Sequence, residues 1–312
     1  MKLSIIIPAY NEEGNIIKLN EKITKELKDI DYELIYINDG SKDKTLDKIK
    51  EIYNTNKDNT KYISFSRNFG KEAAIYAGLE HSSGELICII DSDLQQNPKY
   101  IIDMYNHLKE NEEIDQIAMV MNNRNKENIF NKITKKLFYK IINKLSDIKL
   151  IDGASDFRMF RKDVKNAILK LTEYNRFSKG IFSWIGFNTK YMYYDVEKRY
   201  SGKTKFNKKE SLKYAITGIT NYSIKPLYLS TIIGSIISLL SLIYIIITIL
   251  QVLIYGKDVP GYASLLISIL FMGGLQLIFI GIIGTYIGKT YNETKNRPIY
   301  IKKETKGFDE IL

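Results

Sequence analysis

Two stretches without a single Asp, Glu, Lys or Arg, Pro226 to Gly256 and Val259 to Gly288, constrain this chain more than anything else in it. Each exceeds the roughly 20 residues that an α-helix needs to cross the hydrocarbon core of a bilayer. Buried core helices of that length are unusual, so two membrane-crossing helices are expected near 227–251 and 263–288. Their connection, QVLIYGKDVPGYA, carries one lysine, whereas basic residues crowd the outer flanks at 203–225 and 289–306. Segments rich in Lys and Arg stay on the cytoplasmic side, which predicts that both termini are cytoplasmic. The apolar run in MKLSIIIPAY is only a few residues long and breaks at Pro8, so no secretory signal is expected there.

Those basic flanks also explain the formal net charge of +10, which alone would invite a nucleic-acid reading. The lysines gather at 126–144 and on either side of the most apolar part of the chain, which points to a membrane surface and away from nucleic acid. The one cysteine, Cys88, lies inside an apolar run and reads as a small buried hydrophobe in a reducing compartment. His81 and His107 have no Cys or second His at ligand spacing, so any metal is expected on oxygen ligands.

Before residue 226, short apolar runs alternate with segments of helical period. Strands are expected at 3–8, 32–38, 61–66, 85–91 and 116–121. Ile16, Leu19, Ile23 and Leu27, spaced by three and four, form one face of a helix between the first two. Such alternation implies an α/β sandwich, a Rossmann-like and mainly parallel sheet between helices, with ligands bound beyond the carboxyl ends of the strands. The first four strands end in PAYNEEGN, NDGSKDKT, SRNFGKE and DSDLQQNP, four polar endings that together make one polar cleft. A dinucleotide fingerprint G-x-G-x-x-G is absent, and so is a P-loop, because Gly70-Lys71 is followed by Glu72.

The fourth ending is the most demanding, since Asp91 and Asp93 place two like charges at the end of a core strand. Burying both without compensation is costly, and a divalent cation reverses that cost. Mg²⁺ and Mn²⁺ favour hard oxygen ligands, keep few protein ligands and take the rest from water and substrate phosphates. In an extended segment Asp91, Asp93 and the amide oxygen of Gln95 alternate and converge on one ion, with a diphosphate filling the remaining positions as a leaving group.

PAYNEE, NDGSKDKT, SRNFGKEAAIYAGL, IIDSDLQ, DGASDFRMFRKDV, RFSKGIFSWIGF and RPIYIKK, in that order along nearly the whole chain, resemble family 2 glycosyltransferases of the GT-A fold. The likeness is strongest to the polyisoprenyl-phosphate branch, which includes bactoprenol glucosyltransferases and dolichol-phosphate mannose synthases. It implies inverting transfer of a hexose from a nucleotide-sugar, with uridine favoured, to a polyprenyl phosphate at the cytosolic face of the inner (plasma) membrane. Carried over by position, Pro8, Tyr10, Asn11 and Glu12 line the nucleoside pocket and Asp39 touches the base or ribose, with Arg67 and Lys71 nearby. Asp91, Asp93 and Gln95 correspond to the Mg²⁺ or Mn²⁺ and diphosphate site, Asp156 to the catalytic carboxylate, and Arg199 and Lys203 to a loop that closes over the donor. By the residues alone, Asp156 reads instead as the partner of Arg158 or Arg161. Around Arg124 the chain departs from many relatives, with Asn122 and Glu127 where a Gly and a second Arg are common; Arg124 stays a candidate for the acceptor phosphate. The resemblance also implies a homo-oligomer.

Residues 129–145, IFNKITKKLFYKIINKL, carry apolar residues at helical spacing with lysines on the other side. Such a helix can pack on the domain's own core with a solvated lysine face, or lie in the headgroup layer drawn to anionic lipid; a membrane-embedded acceptor favours the second, with Lys132, Lys135 and Lys136 as further contacts for its phosphate. The expected organisation is a cytosolic GT-A catalytic domain over 1–225, two transmembrane helices within 226–290 and a cytosolic tail over 291–312. Two other functions compete with transfer to a lipid phosphate. A processive polysaccharide synthase is disfavoured by the missing Q-x-x-R-W, and a non-catalytic lipid-binding or translocation subunit by the intact D-x-D-x-Q set. Trp184, in SWIGF, is expected to pack.

Overall fold

Seven consecutive buried residues, LSIIIPA, make β1 (Leu3–Ala9). A strand apolar on both faces must be covered on both, as in the centre of a parallel α/β sheet. The structure, a computed structural model, describes residues 1–122, 139–140, 142–144, 146, 148–198, 200–201, 216–256 and 261–308. The elements that follow β1 are α1 (Ile16–Glu26), β2 (Tyr32–Asn38), α2 (Thr45–Thr55), β3 (Thr60–Phe65), α3 (Lys71–His81), β4 (Leu86–Ile89), α4 (Lys99–Glu110) and β5 (Gln116–Met121). Then come β6 (Ala154–Arg161), α5 (Lys162–Leu169), α6 (Ser178–Trp184), β7 (Thr189–Tyr194), α7 (Lys225–Tyr255), α8 (Tyr262–Thr294) and β8 (Lys302–Lys306).

The eight strands form one sheet in the order β7-β5-β6-β4-β1-β2-β3-β8. The segment β3-β2-β1-β4 is parallel, as is the pairing of β5 with β7. β6 runs antiparallel between β4 and β5, and β8 runs antiparallel along β3. This is a mixed α/β sheet, mainly parallel at its centre, as the family resemblance implies. One apolar layer joins β1 and β4 to α1 and α4 through Ile5, Ile7, Leu19, Ile23, Cys88 and Met104, and a second joins the opposite face to α3 and α5. Cys88 is fully buried in the first layer.

Two features of this sheet position the site. All four central strands leave their carboxyl ends on one edge, so the loops after β1, β2, β3 and β4 meet there. The antiparallel β6 enters the sheet from that same edge, which delivers the residues at its start to the tips of β4 and β1.

The helices α7 and α8 contain 31 and 33 residues, about 46 and 50 Å at 1.5 Å per residue. Both are long and apolar enough to cross a membrane. Their large side chains, Leu240, Leu253, Leu270 and Ile280 among them, are exposed to the surroundings. Near its C-terminal end α8 is tied to the sheet domain. The Tyr286 hydroxyl donates to the Ser223 carbonyl at 2.7 Å, and the Glu293 carboxylate accepts from the Tyr174 and Asn175 amides. The chain then returns to the sheet as β8, where Glu304 accepts from the Tyr62 hydroxyl at 2.5 Å and pairs with Lys50 at 2.8 Å.

Candidate active site

Polar strand ends need partners once they leave the ladder, and here the loops supply them to one another. After β1, Asn11 takes a left-handed φ of 50°. Its amide donates to Ser41 Oγ at 3.0 Å, and its own Oδ1 accepts from the Lys42 amide at 2.8 Å. The Glu12 amide donates to Thr45 Oγ1, and the Glu12 carboxylate brackets the start of α1 by accepting from Asn15 Nδ2 at 2.5 Å. The loops after β1 and β2 are thereby laced into one wall, with Pro8 buried at the end of β1 opposite Ile37 and Tyr10 half-buried beside it.

Asp39 braces a second pair of loops. Its two oxygens accept the Phe69 amide at 2.6 Å and the Gly70 amide at 2.9 Å, which locks the β2 ending to the turn before α3. Burial pushes its carboxyl up to about 6, against the pull of those amides and of Arg67. Gly40, at φ +62°, is required by this closeness, because a Cβ there would lie 2.6 Å from the Asn68 nitrogen. Arg67 sits exposed on the rim with its guanidinium 4.0 Å over the Phe69 ring.

The acidic turn after β4 differs from an extended segment. Leu94 has φ +61°, so the chain turns there and the alternation expected for Asp91, Asp93 and Gln95 is lost. Gln96, buried, is the residue that faces Asp91: its Oε1 accepts the Asp91 amide at 2.9 Å and its Nε2 donates to Asp91 Oδ2 at 3.0 Å. Gln95 donates its amide to Asp93 Oδ1 at 3.1 Å and its side-chain amide to the Glu197 carbonyl at 3.5 Å. Glu197, which nothing in the sequence singles out, also accepts from Asn97 Nδ2 at 2.6 Å and pairs with Lys22 at 3.3 Å. It fastens the segment after β7 over this turn.

Lys71, the first residue of α3, reaches across the carboxyl ends of the strands. Its ammonium lies 2.6 Å from Asp91 Oδ1 and 2.8 Å from Asp156 Oδ2. Burial raises the proton affinity of the Asp156 carboxyl, but Lys71, Lys179 and Arg158 outweigh it and hold the group well below the usual carboxylate range. Burial likewise opposes the charge on Lys71, and Asp156 and Asp91 overcome it, so its ammonium holds its proton more tightly than usual. The ion pair of Asp156 is therefore with Lys71. Arg158 lies over the Phe182 ring at 3.7 Å, and Arg161 donates to the Leu108, Asn111 and Ile114 carbonyls. The second oxygen of Asp156, Oδ1, is buried without a hydrogen-bond partner among the described residues.

Asp91 and Asp93 supply the carboxylate oxygens of this turn, both already in contact with neighbouring groups. Among the described residues no group of three or more His, Cys, Asp or Glu could hold a metal ion. Hard carboxylate oxygens are the ligand type that Mg²⁺ and Mn²⁺ favour, and the ammonium already at Asp91 marks this as a place that binds positive charge.

Tyr200 and Ser201, after β7, reach the start of α1. Tyr200 lies under Lys18, 3.6 Å from ring centroid to ammonium, and Ser201 packs against Gly14, where a Cβ would come within 2.7 Å of its Oγ. Arg199 and Lys203 themselves lie outside the described residues, as do Arg124, Lys132, Lys135 and Lys136 and most of the expected interfacial helix over 129–145. Trp184 does not pack: it is 59% exposed at the end of α6.

Comparison with known proteins shows the family. The model for "Glycosyl transferase family 2" matches residues 4–169. A Bacillus subtilis (strain 168) protein named as a glycosyltransferase, CsbB, is 45% identical over 97% of this chain and 91% of its own length. The prophage bactoprenol glucosyl transferase homolog of Escherichia coli (strain K12) is 40% identical over 98% of this chain and 100% of its own. The bactoprenol glucosyl transferase of Shigella phage SfII is 40% identical over 98% of each. Among solved structures, glucosyl-3-phosphoglycerate synthase from Mycobacterium tuberculosis, in complex with Mn²⁺, UDP-glucose and phosphoglyceric acid, is 18% identical over 70% of this chain and 77% of that one, with a TM-score of 0.48. The chain belongs to glycosyl transferase family 2, and it is a glycosyltransferase.

Proposed function

We propose that this protein transfers a hexose, glucose first among the options, from a UDP-linked donor to a polyprenyl phosphate at the cytosolic face of the membrane, with inversion and with a divalent cation. The observation that carries this reading is the similarity to the Shigella phage SfII bactoprenol glucosyl transferase, which extends over 98% of both chains and so takes in the sheet domain together with both apolar helices. Bilayer attachment suits a lipid acceptor. The pairing of β8 with β3, in the same sheet as β1, supports both termini lying on one side.

The chemistry of Asp156 supports a phosphate acceptor. A catalytic base works best with a pKa near the working pH, and this carboxyl is held far below it. Held charged by Lys71, such a group is a weak base. A phosphomonoester, with a second pKa near ~6, arrives largely ionised and needs no strong base. Asp156 then acts as a fixed negative charge that stabilises the positive charge developing on the sugar ring, oriented by Lys71. Asp91 and Asp93 would hold the cation, which supplies charge neutralisation to the leaving diphosphate. Asp39, Asn11 and Glu12 shape the wall against which the nucleoside lies. Arg199 and Lys203 would close over the donor, and Arg124 with Lys132, Lys135 and Lys136 would meet the acceptor phosphate.

The test is transfer by detergent-solubilised protein from a panel of labelled nucleotide-sugars to a short polyprenyl phosphate with Mg²⁺, followed by extraction into organic solvent. Label in the lipid phase, strongest with UDP-glucose, is the expected outcome. Label in an insoluble polymer, or no transfer from any donor, would overturn the reading.

A further inference from the structure

Lys71 meets two carboxylates at once. Its stem starts at the first turn of α3, and that turn is held by Asp39 through the Phe69 and Gly70 amides and opened by Gly70 at φ +98°. From this fixed base the ammonium contacts Asp91 and Asp156 together, at 2.6 and 2.8 Å. Gln96 occupies the other oxygen of Asp91. Both Asp91 oxygens are thus engaged, one of them by a full positive charge.

We propose that Lys71 is a resident counter-cation that competes with the divalent metal for Asp91 and makes metal binding depend on the donor. The inference rests on the transferase reading above. A metal ion at the acidic turn needs a carboxylate oxygen that the ammonium now holds, and two cations at that spacing repel each other. The metal alone therefore binds weakly. A donor diphosphate changes the balance, because its negative charge offers the ammonium a new partner and the metal further oxygen ligands. Lys71 leaves Asp91, keeps Asp156 ionised, and moves its charge toward the phosphates. Metal and nucleotide consequently bind with positive coupling, which by linkage must be reciprocal. Lys71 is a positioning residue in this scheme, acting on the metal through Asp91.

The coupling is measurable without turnover. Mn²⁺ affinity of the full-length protein in detergent, read from the spectrum of free Mn²⁺ or by calorimetry, is compared with and without UDP for wild type, Lys71→Met and Lys71→Arg. Wild type should bind Mn²⁺ at least about tenfold more tightly with UDP than without it. Lys71→Met should bind Mn²⁺ alone about tenfold more tightly than wild type and lose most of the UDP effect. Lys71→Arg, which keeps the charge, should stay within about threefold of wild type. If Lys71→Met matches wild type in both affinities while lipid-linked product still forms, Lys71 has no such role and the transferase reading stands. If neither protein binds Mn²⁺ even with UDP, the inference fails together with the metal-dependent part of that reading.

Discussion

Asp156 is caught between two opposing influences, since burial favours its neutral form and Lys71, Lys179 and Arg158 favour its charge, and the cations win. Asp156→Asn keeps the shape and removes the charge, so turnover should fall about a hundredfold or more while UDP binding, followed by calorimetry, changes by less than about threefold. A variant with undiminished lipid-linked product would take Asp156 out of the mechanism. Asp39 presents the opposite balance, with burial winning over the amides that it accepts. Its folded value of about 6 lies above the ordinary 3.8, so the folded state binds the extra proton between those values. The stability it contributes is complete below pH 3.8 and is lost as pH rises through about 6, an effect on the order of 3 kcal/mol at most. Thermal unfolding of wild type and Asp39→Asn across pH 4 to 7 tests the sign: the advantage of wild type should shrink as pH rises, and a widening gap would mean that the amide bonds dominate.

At the scale of elements, the loops after the parallel strands are tied to one another by side-chain to backbone hydrogen bonds. Gly40→Ala should destabilise the fold by about 2 kcal/mol or more, since the added methyl strains a left-handed backbone and meets the Asn68 backbone at the same time. Denaturant titration reads that loss. The first five strands were legible because each is a continuous apolar run, and their observed spans fall within about two residues of expectation. β6 interrupts its apolar residues with Asp156, Arg158 and Arg161, and β8, KKETK, contains no hydrophobic residue at all, so neither carries a strand signal. β8 exists through its pairing with β3 and through Glu304, and Glu304→Ala should cost about 1 kcal/mol in the same titration. In the site, the acidic pair was legible from its place at a strand end. Gln96 and Glu197 were not: Leu94 reverses the turn, and Glu197 arrives from about 100 residues away, a contact that only the fold creates.

For the whole molecule, the sheet constrains how the two membrane crossings we propose would be arranged. β1 and β8 lie in one sheet, and α7 and α8 separate them in sequence, so the chain that leaves the catalytic domain comes back to it. An odd number of crossings would strand β8 on the far side of the bilayer, away from the Tyr62 and Lys50 partners of Glu304. Two crossings satisfy the sheet, and the basic residues on both outer flanks favour the cytoplasmic side for it. Cysteine labelling in intact cells reads this directly, because Cys88, the single native cysteine, is fully buried and gives no background. A cysteine at Gly256, at the end of α7, should react with a membrane-impermeant maleimide added outside. One at Lys303, exposed on β8, should react only after the cells are opened. Labelling of both from the same side would mean that α7 and α8 lie along the surface or within the protein assembly, and the acceptor would then have to reach the carboxyl edge of the sheet by another route.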